Sequence, residues 1–297
     1  MHVTKHTKGV LALVFLSFGF GLIAITVRYL SGHYTLFQQL YISIGAGFIL
    51  SFFVFPRSLS FERIKKIPSR DWFIMVFRVV VGYLIAASLY RESLTLTKIS
   101  NVTFIQSVPF VALFGWFIFK EKFTFKKLLY VVLAYIGVII ISMHDTSFSF
   151  TLGKGELFSF ISSVMFSISY IARKWMTNYL NDKEITQILL FLATILFILL
   201  SVVTRETAPI FEWQWLLVLA IFLTGALNVC NIYLVNYGFA NVRPVLASNI
   251  LTLESFFALF LALIFYREIP SLREFIGGII IVVAVIQMNR VEEQSKG

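Results

Sequence analysis

VLASNILTLESFFALFLALIF, residues 245–265, reads as one helix long enough to cross a bilayer, because about 20 residues rising ~1.5 Å each cover the hydrocarbon layer. Its middle carries a carboxylate, Glu254. An ionisable side chain at that depth costs on the order of 2.5 kcal/mol or more, so it faces a partner, a water-filled cavity or a polar route through the protein. We adopt the cavity-facing reading. Its competitor is a protonated carboxyl hydrogen-bonded inside helix packing.

The rest of the chain is written in the same style. Of its 297 residues 59% are hydrophobic and 13% charged, with a mean hydropathy of +0.87. A soluble domain carries nearer ~25% charged residues, so the surplus apolar surface must face lipid. Ten apolar runs follow one another: residues 9–30, 35–55, 72–90, 99–119 and 127–143, then 155–174, 185–204, 213–235, 245–265 and 272–288. They are long and uninterrupted rather than alternating, which excludes barrel strands. The connectors are short and hold breakers such as Pro56, Pro68, Pro209 and Pro270. The first run, behind the basic start MHVTKHTK, is too long for a signal-peptide core and reads as the first span. A single cysteine, Cys230, leaves no intrachain disulfide and argues against a thiolate metal site.

With both termini cytoplasmic, 17 of the 25 Lys and Arg fall on the cytoplasmic side and 7 on the other, with Arg78 inside the third run. Arg91, just beyond the end of that run, counts with the outer group. The bias follows the positive-inside rule and accounts for the net charge of +10 without a nucleic-acid partner. The two sets of five runs also echo each other. KGVLALVF at 8–15 aligns with KGELFSFI at 154–161, and WFIFKEK at 116–122 with ALIFYRE at 262–268. Because five is odd, the second copy must enter the membrane from the opposite face. The expected fold is therefore an all-α integral membrane protein of ten transmembrane helices, arranged as an inverted 5+5 repeat. Residues 1–144 form one repeat, 152–290 the other, and 291–297 a cytoplasmic tail.

No catalytic constellation accompanies this pattern. The four histidines sit at a terminus or at helix ends, and HExxH and GxSxG are absent, so the chain does not read as an enzyme. Attention moves to polar residues at membrane depth. In the fourth run Ser100, Thr103 and Ser107 share a face beside Gln106, and Pro109 removes a backbone hydrogen bond, which either opens acceptors to a cavity or kinks the helix for packing. In the sixth, Ser159, Ser163, Ser167 and Tyr170 form a stripe; small residues at such spacing mostly serve close helix packing, and Tyr170 is the member with binding potential. Asn228 and Asn231 fall on one face of the eighth run, where amides need several partners each. In the ninth, a continuous helix would put Ser248, Thr252 and Ser255 on one face and Glu254 on another, so only one of the two faces should open onto a cavity. Arg78 either snorkels to headgroups or turns inward to meet an anionic group.

Ten helices in two copies, the Lys-Gly opening of each half, PFVALFGWFIFKE at 109–121 and its weaker echo ESFFALFLALIFYRE at 254–268 resemble the drug/metabolite transporter superfamily, in its EamA-type branch. The resemblance covers essentially the whole chain. Ser255 stands after Glu254 where a mid-helix proline would complete the repeat, and Gln38, Gln39 and Tyr41 occupy the second helix where an arginine often lies. The resemblance implies a secondary active transporter, an exporter of small polar metabolites such as amino acids, working by alternating access through a cavity between two bundles. It also admits an antiporter or uptake carrier for nucleotide-linked or sulfonium metabolites, which calls for several inward basic residues where the sequence offers Arg78. A non-transporting sensor or membrane enzyme is the reading from another class. The expected setting is the cell membrane, inner or plasma, with the lipid bilayer and a small-molecule substrate as partners, as a monomer or homodimer. No cofactor or metal is expected, and Glu254 suits proton coupling or capture of a substrate ammonium.

Overall fold

The structure, a computed structural model, describes residues 4–97, 102, 105–106, 108, 110–119, 124–142, 153–210, 214–266 and 272–294. These residues form helices, turns and bends, and no strand occurs among them. Helix α1 (Lys5–Ser31) starts at Thr4, whose hydroxyl accepts from the Thr7 backbone N–H at 3.2 Å. Helix α2 (Leu36–Val54) opens with a capping box between Thr35 and Gln38. A short helix, α3 (Phe61–Lys65), precedes α4 (Ser69–Leu96). Then come α5 (Phe110–Phe119), α6 (Phe125–Ser142) and α7 (Lys154–Ile171), the last ending in the tight turn Ala172–Trp175. Helices α8 (Asp182–Val203), α9 (Trp215–Asn241), α10 (Pro244–Leu251), α11 (Leu253–Tyr266) and α12 (Leu272–Gln294) complete the order.

Among the described residues six helices, α1, α2, α4, α7 with its terminal turn, α8 and α9, are long and apolar enough to cross a membrane. Their outer faces suit lipid: Phe53 is 79% exposed, Val203 75% and Phe73 72%. In water such a surface would aggregate, whereas in a bilayer it is at home. The protein is thus an all-helical, multi-pass membrane protein. Lengthwise, α1 lies along α9, α2 along α8 and α9, α4 along α7, and α6 along α12, while α10 packs on α5. Two apolar clusters result. One gathers Leu13, Val111, Phe239, Val245 and Ile281; the other gathers Leu40, Ile44, Met75, Leu189 and Phe197.

The helices depart from the sequence reading at three places. The third run does not stop before Arg91: α4 continues to Leu96, because SLYRESLTL keeps an inward face on which Arg91, Ser93 and Leu94 are buried. Inside α4, Val79–Ala87 is wound as a π-helix, a wider turn often found at functional sites. And 245–265 is two helices. The Thr252 hydroxyl donates to the Asn249 carbonyl at 2.6 Å, competing with the helical ladder, and the chain turns there before α11 begins.

Candidate functional site

A cavity of about 170 Å³ lies inside the bundle, with walls from α1, α2, α4, α5, α7, α9, α10 and α11. It has room for a small solute or several waters rather than one. Its apolar lining, including Phe20, Ile44, Val111 and Phe166, is interrupted by polar groups at a few points. Ten residues singled out by sequence border it: Glu254, Asn228, Asn231, Arg78, Gln106 and Tyr170, together with Ser163, Ser167, Ser248 and Thr252. Thr103, Ser107 and Pro109, with Ser100, lie outside the described residues. Beside them, helical Gln106 is followed by a bend at Val108 before α5 starts.

Glu254 borders the cavity just past the break at Thr252. A continuous helix would have forced a choice between the hydroxyl face and the carboxylate. Both sets nevertheless border the same space, Ser248 before the turn, Thr252 at it and Glu254 after it. Glu254 sits in the first turn of α11, where the helix dipole favours negative charge. Among the described residues it has no hydrogen bond or ion pair, and the groups in electrostatic reach of it include Tyr90 and Tyr170.

Arg78 turns inward. It is 3% exposed, and its Nε donates to the Ser169 carbonyl at 3.0 Å while Nη1 lies 3.9 Å from the Met176 sulfur. Tyr170 lies within electrostatic reach of both Arg78 and Glu254 and is held in an aromatic clamp, stacked on Phe166 and Phe20 with ring centroids 5.7 and 6.2 Å away. Gln106 donates to the Ser159 carbonyl at 3.1 Å and to the Ser162 hydroxyl at 3.2 Å, which fixes its amide against α7.

Of the α7 stripe, Ser163 and Ser167 line the cavity, while Ser159 and the neighbouring Ser162 and Ser169 bond to backbone carbonyls of the preceding helices. Ser162 Oγ donates to the Ala86 carbonyl at 2.9 Å, Ser169 Oγ to the Arg78 carbonyl at 3.4 Å and Ser159 Oγ to the Val102 carbonyl at 3.3 Å. The first two acceptors flank the π-helical turn, where ladder bonds are weakest, so these hydroxyls supply the satisfaction that lipid cannot. The approach depends on Gly82. A Cβ there would stand 2.4 Å from Ser169 Oγ and 2.9 Å from its Cβ, too close for so short a side chain to yield. Gly82→Ala should therefore destabilise the protein by about 1–3 kcal/mol, read as a lowered unfolding temperature in detergent, and Ser169→Gly in the same chain should restore part of the loss.

Asn228 and Asn231 are 9% and 4% exposed, and neither amide is satisfied. Asn228 Nδ2 and both polar atoms of Asn231 lack a hydrogen-bond partner among the described residues. Each such buried group costs about 1–3 kcal/mol, and each is a place where a ligand or water can bind with profit. Asn231 rests on the bare backbone of Gly19, where a Cβ would fall 2.1 Å from Asn231 Oδ1.

Sequence reasoning missed Tyr83, Tyr90 and Arg91, all on the cavity wall. Arg91 is 6% exposed, donating from Nη1 to Gln39 Oε1 at 3.3 Å and from Nη2 to Ser43 Oγ at 2.9 Å. A signal was present. Ala87, Tyr90, Arg91 and Leu94 continue one helical stripe past the first charge, which an apolar window truncates. Two arginines, not Arg78 alone, thus face the interior.

One end of the bundle is tied shut. Arg173 Nη2 meets Asp182 Oδ1 at 2.7 Å, Arg63 Nη1 meets Glu184 Oε1 at 3.2 Å, and Asp71 Oδ1 accepts from the Thr177 N–H at 2.8 Å. The first links the end of α7 to the start of α8, the second joins α3 to α8, and the third joins α4 to the segment between α7 and α8. Arg78 stands nearest this end, within electrostatic reach of Arg173 and Asp182.

Comparison with known proteins adds three findings. The EamA-like transporter family matches over residues 7–143 and again over 153–290. The uncharacterized transporter sll1164 of Synechocystis sp. is 21% identical over 253 residues, covering 80% of this chain and 71% of that protein. A solved crystal structure superposes with a TM-score of 0.74 at 13% identity, covering 98% of this chain and 99% of its own, a likeness of fold alone.

Proposed function

We infer that this chain, which belongs to the EamA-like transporter family and is a membrane transporter, is a secondary carrier that exports a small polar metabolite through the central cavity by alternating access. The observation that carries the reading is Glu254, a carboxylate without a hydrogen-bond partner among the described residues, on the wall of the central cavity just after the turn between α10 and α11. Discontinuous helices lining a cavity are how secondary carriers build a binding site within the bilayer.

The helix pairing supports the inverted repeat. Exchange the halves, so that α1 corresponds to α7, α2 to α8, α4 to α9, α6 to α12, and the span ending in α5 to α10 with α11. The pair α1 with α9 then becomes α7 with α4, α2 with α9 becomes α8 with α4, and α2 with α8 and α6 with α12 map onto themselves; all are packed pairs. The irregularities correspond too: a bend at Val108 in one span, a turn at Thr252 in its counterpart. This pattern fits two five-helix repeats inserted in opposite senses with the cavity between them, and the Lys and Arg bias supports both termini on the cytoplasmic side of the cell membrane.

The cargo that suits the walls is an amino-acid-like solute. Its ammonium meets Glu254, its acid group meets a guanidinium, and Asn228 and Asn231 take remaining donors and acceptors. Arg91 beside Arg78 also supplies the inward basic residues that a carrier of anionic, nucleotide-linked metabolites needs. Counterflow by purified protein in liposomes, against amino acids, nucleotide sugars and organic cations, tests the reading. Saturable exchange of at least one amino acid is expected, and no saturable flux of any compound overturns it.

A further inference from the structure

Resting on the carrier reading, we propose that Arg91 is an anion-binding residue of the cavity and that the cargo carries a net negative charge, with a carboxylate or comparable acid group docked on its guanidinium. A buried guanidinium without a counter-charge is strongly disfavoured, and Arg91 is nine-tenths buried with only neutral partners, Gln39 and Ser43. Among the described residues no carboxylate forms an ion pair with it; the ionisable group in its electrostatic reach is Tyr90. Glu92, next in sequence, points away, as adjacent helical residues do.

Both neutral partners are themselves held. Gln39 Nε2 donates to the Tyr34 carbonyl at 2.9 Å, which leaves its Oε1 turned to Arg91. The Ser43 hydroxyl donates to the Gln39 carbonyl at 2.6 Å, so its lone pairs face Nη2. The guanidinium is therefore oriented before any solute arrives, with its remaining N–H groups available to a planar acid group, the geometry arginine recognises best.

The charge inventory of the cavity points the same way. Its walls carry Arg78, Arg91 and Glu254 as charged groups. Arg173 and Asp182, behind Arg78, neutralise each other, and Asp71 is engaged by Thr177. One positive charge is left over with Glu254 ionised, and two with it protonated. A zwitterion cannot cancel that excess, whereas a solute with one more acid group than cationic groups does.

The test uses counterflow of L-glutamate, L-glutamine, succinate and putrescine in liposomes holding wild type, Arg91→Gln, Arg91→Lys or Gln39→Glu. Wild type should exchange the acidic solutes at least about tenfold faster than glutamine or putrescine. Arg91→Gln should raise the half-saturation concentration for the acidic solutes about tenfold, with Arg91→Lys recovering part of it. Gln39→Glu, which gives the intact guanidinium a protein counter-charge, should produce a similar loss; a purely structural Arg91 would not respond in this way. Preferred exchange of glutamine or putrescine overturns the inference and leaves the carrier reading standing, as does an Arg91→Gln variant that slows every solute equally. Absence of exchange for all four by wild type overturns the inference, and the carrier reading falls with it only where the wider panel also shows no saturable flux.

Discussion

Glu254→Gln should lower exchange of an ammonium-bearing solute by about 100-fold while leaving the unfolding temperature near that of wild type. The two halves of this expectation come from the same geometry. The amide preserves shape and volume but removes the charge that a cation would meet in a largely water-excluded wall, and truncating one partner of such a pair costs about 2–5 kcal/mol of binding. Nothing in the protein is orphaned by the change, since the carboxylate has no hydrogen-bond or ion-pair partner among the described residues. A carboxylate that served packing would behave in the opposite way, with stability lost and flux kept. If proton exchange at Glu254 drives the cycle, the variant's remaining flux should no longer respond to pH, and Glu254→Asp should fall between the two. Unchanged rates with an unchanged pH profile would remove this residue from the mechanism.

The second large effect is on stability. Asp182→Asn leaves the Arg173 side chain, 7% exposed, without the carboxylate that meets it at 2.7 Å. Breaking a buried ion pair from one side costs about 3–5 kcal/mol, because the surviving charge stays desolvated. Here the loss is aggravated, as Arg78 lies in reach of the same pair and would face a second uncompensated guanidinium. Chemical unfolding in detergent should report the drop. Adding Arg173→Met to Asp182→Asn should restore part of it, since the buried guanidinium that the first change strands is then gone. If Asp182→Asn unfolds like wild type, the pair does not hold this end of the bundle together.

Most of the helical layout was legible because lipid imposes a simple rule: a span must be apolar over about 20 residues and satisfy its own backbone. Glu254, Asn228 and Asn231 were legible for the complementary reason, as polar groups inside such spans have to be explained. Arg91 was not. The window closes at the first cluster of charge in SLYRES, although the helix carries on for another turn with that arginine on its inner face. The turn at Thr252 was hidden as well, for it uses a hydroxyl competing with the ladder where proline would have announced itself. The π-helical stretch of α4 has no local signature; within it Gly82 lets α7 come close, and Ser162 and Ser169 donate to the carbonyls of Ala86 and Arg78.

The interruption at Thr252 also divides the labour of its span. Asn249 donates to the Ala284 carbonyl at 3.2 Å, and α10 rests on α5, so the stretch before the interruption is moored to its neighbours. The stretch after it, α11, packs instead on α1 and α12. Glu254 stands immediately past the interruption, where these two sets of neighbours meet. A group beside the join of two arms travels least when either arm moves, so the carboxylate is the most nearly fixed point of its span.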